Sequence, residues 1–282
     1  MSTTTTTQTG RDLPVAITVG VGLLVLIGAS LYIFKEVFAL VAIIGVCAAM
    51  WELSLALRRK DIHIPVVPLM VGSIGMIVSS YVAGAEALFV AFLLTVGGAV
   101  VWRVLDGSGE PALRDVTASA FAAAWLPFLA GFAMLMLQPA GDGANRVMLF
   151  ILVTVASDTG GFAVGSLLGS HPLAPKVSPG KTWEGLAGSL VLACVIGVVG
   201  TSAGIPGLMN TEPYVGVLLG LAVVATATLG DLAESMLKRD LGLKDMGRLI
   251  PGHGGLLDRL DSLLLAAPAA YLVLHQLVPP VL

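Results

Sequence analysis

Residues 214–230 read Tyr214-Val-Gly-Val-Leu-Leu-Gly-Leu-Ala-Val-Val-Ala-Thr-Ala-Thr-Leu-Gly230. The segment that follows reads Asp231-Leu-Ala-Glu-Ser-Met-Leu-Lys-Arg-Asp-Leu-Gly-Leu-Lys-Asp-Met-Gly-Arg-Leu-Ile-Pro-Gly-His-Gly-Gly-Leu-Leu-Asp-Arg-Leu-Asp261. The first run carries no charge, and extended to Ser235 it reaches the ~20 residues a helix needs to cross a bilayer. The second holds 11 of the chain's 33 Asp, Glu, Lys and Arg and one of its four His. Another apolar run follows at 260–278. Ionisable groups at the edge of hydrocarbon are costly, and in a membrane protein they mark function. Carboxylates, bases and glycines in alternation suit divalent-metal and phosphate chemistry.

Working outward, the same apolar texture covers the chain. It is 56% hydrophobic and 12% charged, with a mean hydropathy of +0.94, against about 45–50% and about 25% in a soluble domain. The fold class is therefore all-α, a polytopic integral membrane protein. Nine spans are predicted, at about 13–34, 37–57, 64–83, 85–105, 116–138, 146–168, 183–203, 214–235 and 260–278. The pair at 64–83 and 85–105 is joined so tightly that it also reads as merged or re-entrant. Nine spans put 13 of the 15 Lys and Arg on one side, leaving only Lys35 and Arg146 on the other. By the positive-inside rule the N-terminus is cytoplasmic and the C-terminus outside. Residues 1–12 read as a disordered polar tail, 13–138 as about five N-terminal transmembrane helices, and 146–282 as a C-terminal catalytic domain of about four. The loops of that domain, 169–182 and 236–259, face the cytoplasm. Cys47 and Cys194 sit in apolar runs and make no metal or disulfide framework.

Asp158, in Val-Ala-Ser-Asp158-Thr-Gly-Gly, falls inside span six, where a carboxylate costs about 3 kcal/mol. A metal, a cation or a watered cavity would offset that cost; a protonated, helix-packing Asp is the bland alternative. Gly161, Gly165 and Gly169 form a ladder that lets helices approach closely, or makes room beside Asp158. Lys176-Val-Ser-Pro-Gly-Lys-Thr-Trp-Glu184 ends like a Walker A loop, but position 175 is Pro and no strand precedes it, so the P-loop is rejected. Lys176, Ser178, Lys181 and Thr182 at the start of span seven still suit an anion. Glu184 either caps that helix or reaches a metal. Asp231, Glu234, Ser235 and Lys238 are spaced i, i+3, i+4, i+7 and share one helical face. Asp258 and Asp261, again i, i+3, open the last span after His253-Gly254-Gly255, whose glycines allow close approach or positive φ. Two acid-bearing helix ends joined by a basic loop describe a divalent oxygen site beside a phosphate site.

The pattern Ser235-x-Leu237-Lys238-Arg239-x4-Lys244-Asp245-x-Gly247-x3-Pro251-x-His253-Gly254-Gly255-x2-Asp258-Arg259-x-Asp261 resembles the C-terminal signature of the phosphatidate cytidylyltransferase (CDP-diacylglycerol synthase) family. Ser157-Asp158-Thr159-Gly160, Ser178-Pro179-x-Lys181-Thr182-x-Glu184-Gly185 and Gly230-Asp231-Leu232-x-Glu234-Ser235 are similar too. The resemblance implies a reaction: CTP and phosphatidic acid give CDP-diacylglycerol and pyrophosphate, with Mg²⁺ and room for a second cation. It implies Asp231 and Asp258 as metal ligands, with Glu234 and Asp261 nearby, and Lys238, Arg239, Lys244 and Arg259 as phosphate contacts. Ser178 and Lys181 would hold a substrate phosphate. Asp158, Glu184, Ser235, Asp245, His253, Gly254 and Gly255 belong to the substrate site.

The setting is expected to be a bacterial plasma (inner) membrane with the site facing the cytoplasm, no nucleic-acid partner, and glycine ladders compatible with a homodimer. A CTP-dependent polyprenol or lipid-alcohol kinase would share CTP, Mg²⁺ and a membrane-edge site. An ion-coupled transporter would use Asp158 and Asp231 as coupling carboxylates, but the charge lies on one face instead of at the midplane.

Overall fold

The computed structural model describes residues 22, 25–106, 112–139, 141–208, 211–247, 249 and 254–279. The tail expected over 1–12, most of the first half of the span at 13–34, and His253 lie outside the described residues. The elements are α1 (25–33), α2 (Lys35–Arg58), α3 (Val66–Leu105), α4 (Ala112–Leu137), α5 (Gly143–Leu168), β1 (Pro172–Ala174), β2 (Ser178–Thr182), α6 (Trp183–Val199), α7 (Pro213–Asp240) and α8 (Leu257–Leu277). Among the described residues, seven helices, α2 to α8, are long and apolar enough to cross a membrane.

A straight α3 of 40 residues would run about 60 Å, twice the hydrocarbon thickness. It does not run straight. Gly84 sits at φ 88°, ψ −165°, which residues with a Cβ avoid, and the chain folds back there. Gly72 then lies against Thr95, and Ser79 Oγ donates to the Ala87 carbonyl at 3.4 Å. The two arms are thus antiparallel neighbours and match the segments expected at 64–83 and 85–105. In α4, Pro127 has no N–H to give, and the helix widens into a π-turn over Ala124–Phe128.

Large apolar side chains such as Met50, Leu53, Met76, Leu126 and Leu149 are fully buried between helices, while Val71, Val82, Leu94, Phe162 and Val191 point outward. In a membrane protein that outer face meets lipid, so the close contacts between helices come from small residues. A Cβ on Gly160 would lie 2.5 Å from the Gly188 carbonyl oxygen, and one on Gly161 2.5 Å from Ser189 Oγ, so α5 and α6 touch backbone to backbone. Ser189 Oγ also donates to the Ser157 carbonyl at 2.6 Å. The ladder is thus a packing device, and Gly161 additionally borders the cavity described below.

The helices sort the polar residues to two ends. At one end Lys35 Nζ donates to the carbonyls of Leu137 (3.3 Å) and Pro139 (2.5 Å), and Arg146 pairs with Asp142 at 2.8 Å and donates to the carbonyls of Leu274 and Val278. Asp115, Lys181, Asp231 and the 241–247 segment lie at the other. The all-α reading holds for the membrane part. The 169–182 loop departs from it: β1 and β2 pair antiparallel, Pro172 with Thr182 and Ala174 with Ser178. Prolines at 172, 175 and 179 cannot sit inside a helix, so the loop satisfies its backbone as a hairpin instead.

Candidate active site

α5, α6, α7 and α8 pack closely, and at their polar end they enclose a cavity of about 460 Å³ with the β-hairpin. Three local features aim the side chains into it. A Cβ on Gly230 would lie 2.5 Å from the Asp261 carbonyl oxygen, so α7 and α8 touch where Asp231 and Asp261 project. The i, i+4 spacing on α7 sets Ser235 Oγ 3.2 Å from Asp231 Oδ1, and Lys238 Nζ 3.6 Å from Glu234. Thr182 caps α6, its Oγ1 accepting the Gly185 N–H at 3.1 Å, and this fixes Lys181 at the base of the hairpin.

Asp258, in the first turn of α8, is the most heavily bonded acid. It accepts the N–H of Met246 (2.9 Å) and of Gly255 (2.9 Å), and meets Lys238 Nζ at 2.9 Å. Gly254 adopts φ 85°, the left-handed conformation its position in the preceding turn requires. Lys181 Nζ pairs with Asp231 at 2.6 Å and ties the hairpin to α7. Asp158, from α5, lines the same cavity as Lys181, Asp231, Asp261 and Ser262. The distant helix thus does reach the charged segment.

Of the residues singled out in the sequence, Asp158, Lys181, Asp231, Lys238, Asp245, Asp258, Arg259 and Asp261 line the cavity. Ser178, Glu184, Glu234, Ser235, Arg239, Lys244, Gly254 and Gly255 do not. Glu184 instead holds the base of the hairpin: it accepts the N–H groups of Ser170 and His171 and meets His171 Nδ1 at 2.5 Å. Arg239 and Lys244 are exposed. Glu234 is fully buried, and Lys238 Nζ, 3.6 Å away, pairs with it at longer than hydrogen-bond distance. Two residues escaped the sequence reading. Ser262 follows Asp261 and carries no signal of its own. Glu52 carried one: it is the single acid deep in an otherwise apolar span.

Five carboxylates against three cationic side chains leave the cavity wall formally negative. Among the described residues no three His, Cys, Asp or Glu form a ready-made metal cage. The donor set is nonetheless hard oxygen, from Asp158, Asp231, Asp245, Asp258 and Asp261. That fits Mg²⁺, which is usually held by one or two carboxylates together with substrate phosphates.

Fold and site together define a polytopic helical membrane protein with a polar, phosphate-compatible cavity at one end of its bundle. The chain belongs to the cytidylyltransferase family, whose model matches residues 14–277. It is 41% identical to the phosphatidate cytidylyltransferase of Mycobacterium leprae over 291 residues, covering 98% of this chain and 92% of that protein. To the protein of the same name from Mycobacterium bovis it is 39% identical, covering 97% and 92%. With that of Haemophilus influenzae it shares 42% identity over 148 residues, about half of each chain.

Proposed function

We propose that this enzyme transfers the cytidylyl group of CTP to phosphatidic acid, releasing pyrophosphate and forming CDP-diacylglycerol for phospholipid synthesis. The observation that carries this reading is one cavity where Lys181 and Lys238 stand among Asp158, Asp231, Asp258 and Asp261, in a chain whose long relatives bear that enzyme's name.

The chemistry is an in-line displacement. A phosphate oxygen of the lipid bonds to the α-phosphorus of CTP while the bond to the bridging oxygen breaks and pyrophosphate leaves. The attacking oxygen is already anionic, so no strong base is needed, and catalysis rests on position and charge. Lys181, Lys238 and Arg259 line the cavity and neutralise phosphate oxygens. Arg239 and Lys244 meet the outer phosphates of CTP at the rim, and Asp245, His253, Gly254 and Gly255 border the nucleotide. Asp231 and Asp258 would hold Mg²⁺, with Glu234 and Asp261 as neighbours; the ion would supply charge neutralisation on the attacking and leaving oxygens. Lys238 couples the two helices that carry these acids, and Asp158 and Ser262 hold the opposite wall.

Nine spans with the N-terminus in the cytoplasm and the C-terminus outside complete the reading, with the site on the cytoplasmic face of a bacterial plasma membrane. The lipid then enters sideways and CTP from the cytoplasm. Mass spectrometry of the products tests the acceptor. CDP-diacylglycerol formed from phosphatidic acid is expected; CDP together with a phosphorylated alcohol would identify a kinase instead.

A further inference from the structure

Glu52 lies outside the cavity wall, in the half of the chain where no site residue was expected. It sits six residues before the end of α2 at Arg58 and is 2% exposed. Its Oε1 accepts the N–H of Leu249 at 3.3 Å and its Oε2 the N–H of Leu257 at 3.0 Å, partners 197 and 205 residues further along the chain. Those two N–H groups flank the segment that delivers Asp258. Met246, just before Leu249, and Gly255, just before Leu257, donate to Asp258 itself. The segment is therefore held between two carboxylates, one from α2 and one from α8.

Two glycines make the arrangement fit. A Cβ on Gly255 would lie 2.8 Å from Glu52 Oε2 and 2.7 Å from Asp258 Oδ2, so the backbone there passes between the two acids. A Cβ on Gly247 would overlap Glu52 Oε1. A buried carboxylate in a membrane helix is expensive to keep, and one whose oxygens each meet a different N–H of the same connection is shaped to hold that connection. We propose that Glu52 is a positioning residue: it clamps the α7–α8 segment from the far side and so fixes where Asp258 and Lys238 stand. It touches neither substrate nor cavity, and the role rests on the cytidylyl-transfer reading above.

Glutamine has nearly the shape of glutamate, but its amide would aim a donor at one of the two N–H groups. The test compares the full-length protein in nanodiscs with Glu52→Gln, and with Glu86→Gln as an exposed control. Amide hydrogen exchange is followed over 245–257 and over α3, and steady-state kinetics are measured with CTP and phosphatidic acid. In Glu52→Gln, exchange over 245–257 is expected to rise about tenfold or more while α3 is unchanged. The kcat is expected to fall about 10- to 100-fold, as when other groups supporting a site are lost, with both KM values within about threefold. Unchanged exchange over 245–257 would overturn the proposal, as would faster exchange with wild-type kcat, or exchange raised equally throughout the protein. A wild-type protein that makes no CDP-diacylglycerol would sink the reaction assignment; exchange at the two amides would still decide whether Glu52 holds the segment.

Discussion

Asp258 shows how far single residues could be read in advance. Its spacing from Asp261 and its place after the glycines marked it as a site acid, but its partners could not be read. Lys238 is 20 positions away in the chain, and Met246 and Gly255 contribute backbone N–H groups. Helical spacing foretold the shared face of Asp231, Ser235 and Lys238, because those contacts lie within one helix. It could not foretell Glu52, whose partners are some 200 residues away, nor that Glu184 would be absorbed by His171 and the hairpin. Asp258→Asn keeps the shape and removes the charge that meets Lys238. It is expected to lower kcat by about 10²–10³-fold, the usual cost of losing a group that stabilises transition-state charge, with expression intact; a near-normal rate at saturating Mg²⁺ would show that the charge is not needed. Lys181→Met breaks the pair with Asp231 at 2.6 Å. A charge-assisted contact contributes about 1.5–3 kcal/mol, so kcat/KM should fall about 10- to 100-fold, measured under subsaturating CTP.

At the scale of elements, the membrane helices were legible because hydrophobic length reports them directly. Eight of the nine expected spans coincide with described helices, counting the two arms of α3. Gly84 explains why that pair was ambiguous: a single residue separates the arms, and only its backbone angles reveal the reversal. The β-hairpin was not legible, since strands of three and five residues leave no periodic signal. Close helix contact is the feature most open to test. At Gly230 the obstacle to a side chain is the Asp261 backbone carbonyl, which cannot swing aside. Gly230→Val should therefore separate α7 from α8, costing about 1–3 kcal/mol as overpacking does, and turnover should fall with it. Thermal unfolding in detergent measures the first effect; an unshifted melting curve would mean that the helices adjust without cost.

For the whole molecule, the distribution of basic residues and the architecture agree for a reason that only coordinates supply. Every described Lys and Arg except Lys35 and Arg146 lies at or near the end that holds the cavity. Those two are committed to capping: Lys35 closes the carbonyl end of α4, and Arg146 that of α8. Both are thus engaged structurally at helix ends. A C-terminal alkaline phosphatase fusion should accordingly be active outside the cytoplasm, and a C-terminal fluorescent reporter that needs the cytoplasm should stay dark; the reverse pattern would refute nine spans in this orientation. The central claim is that the charged end of the bundle joins a nucleotide to a lipid phosphate with the help of a divalent ion. The most direct measurement incubates the purified protein with CTP radiolabelled in its α-phosphate, with and without phosphatidic acid and with and without EDTA. Label should enter the lipid phase only when phosphatidic acid is present and EDTA is absent. Label in the lipid phase without phosphatidic acid, or undiminished by EDTA, would contradict the account.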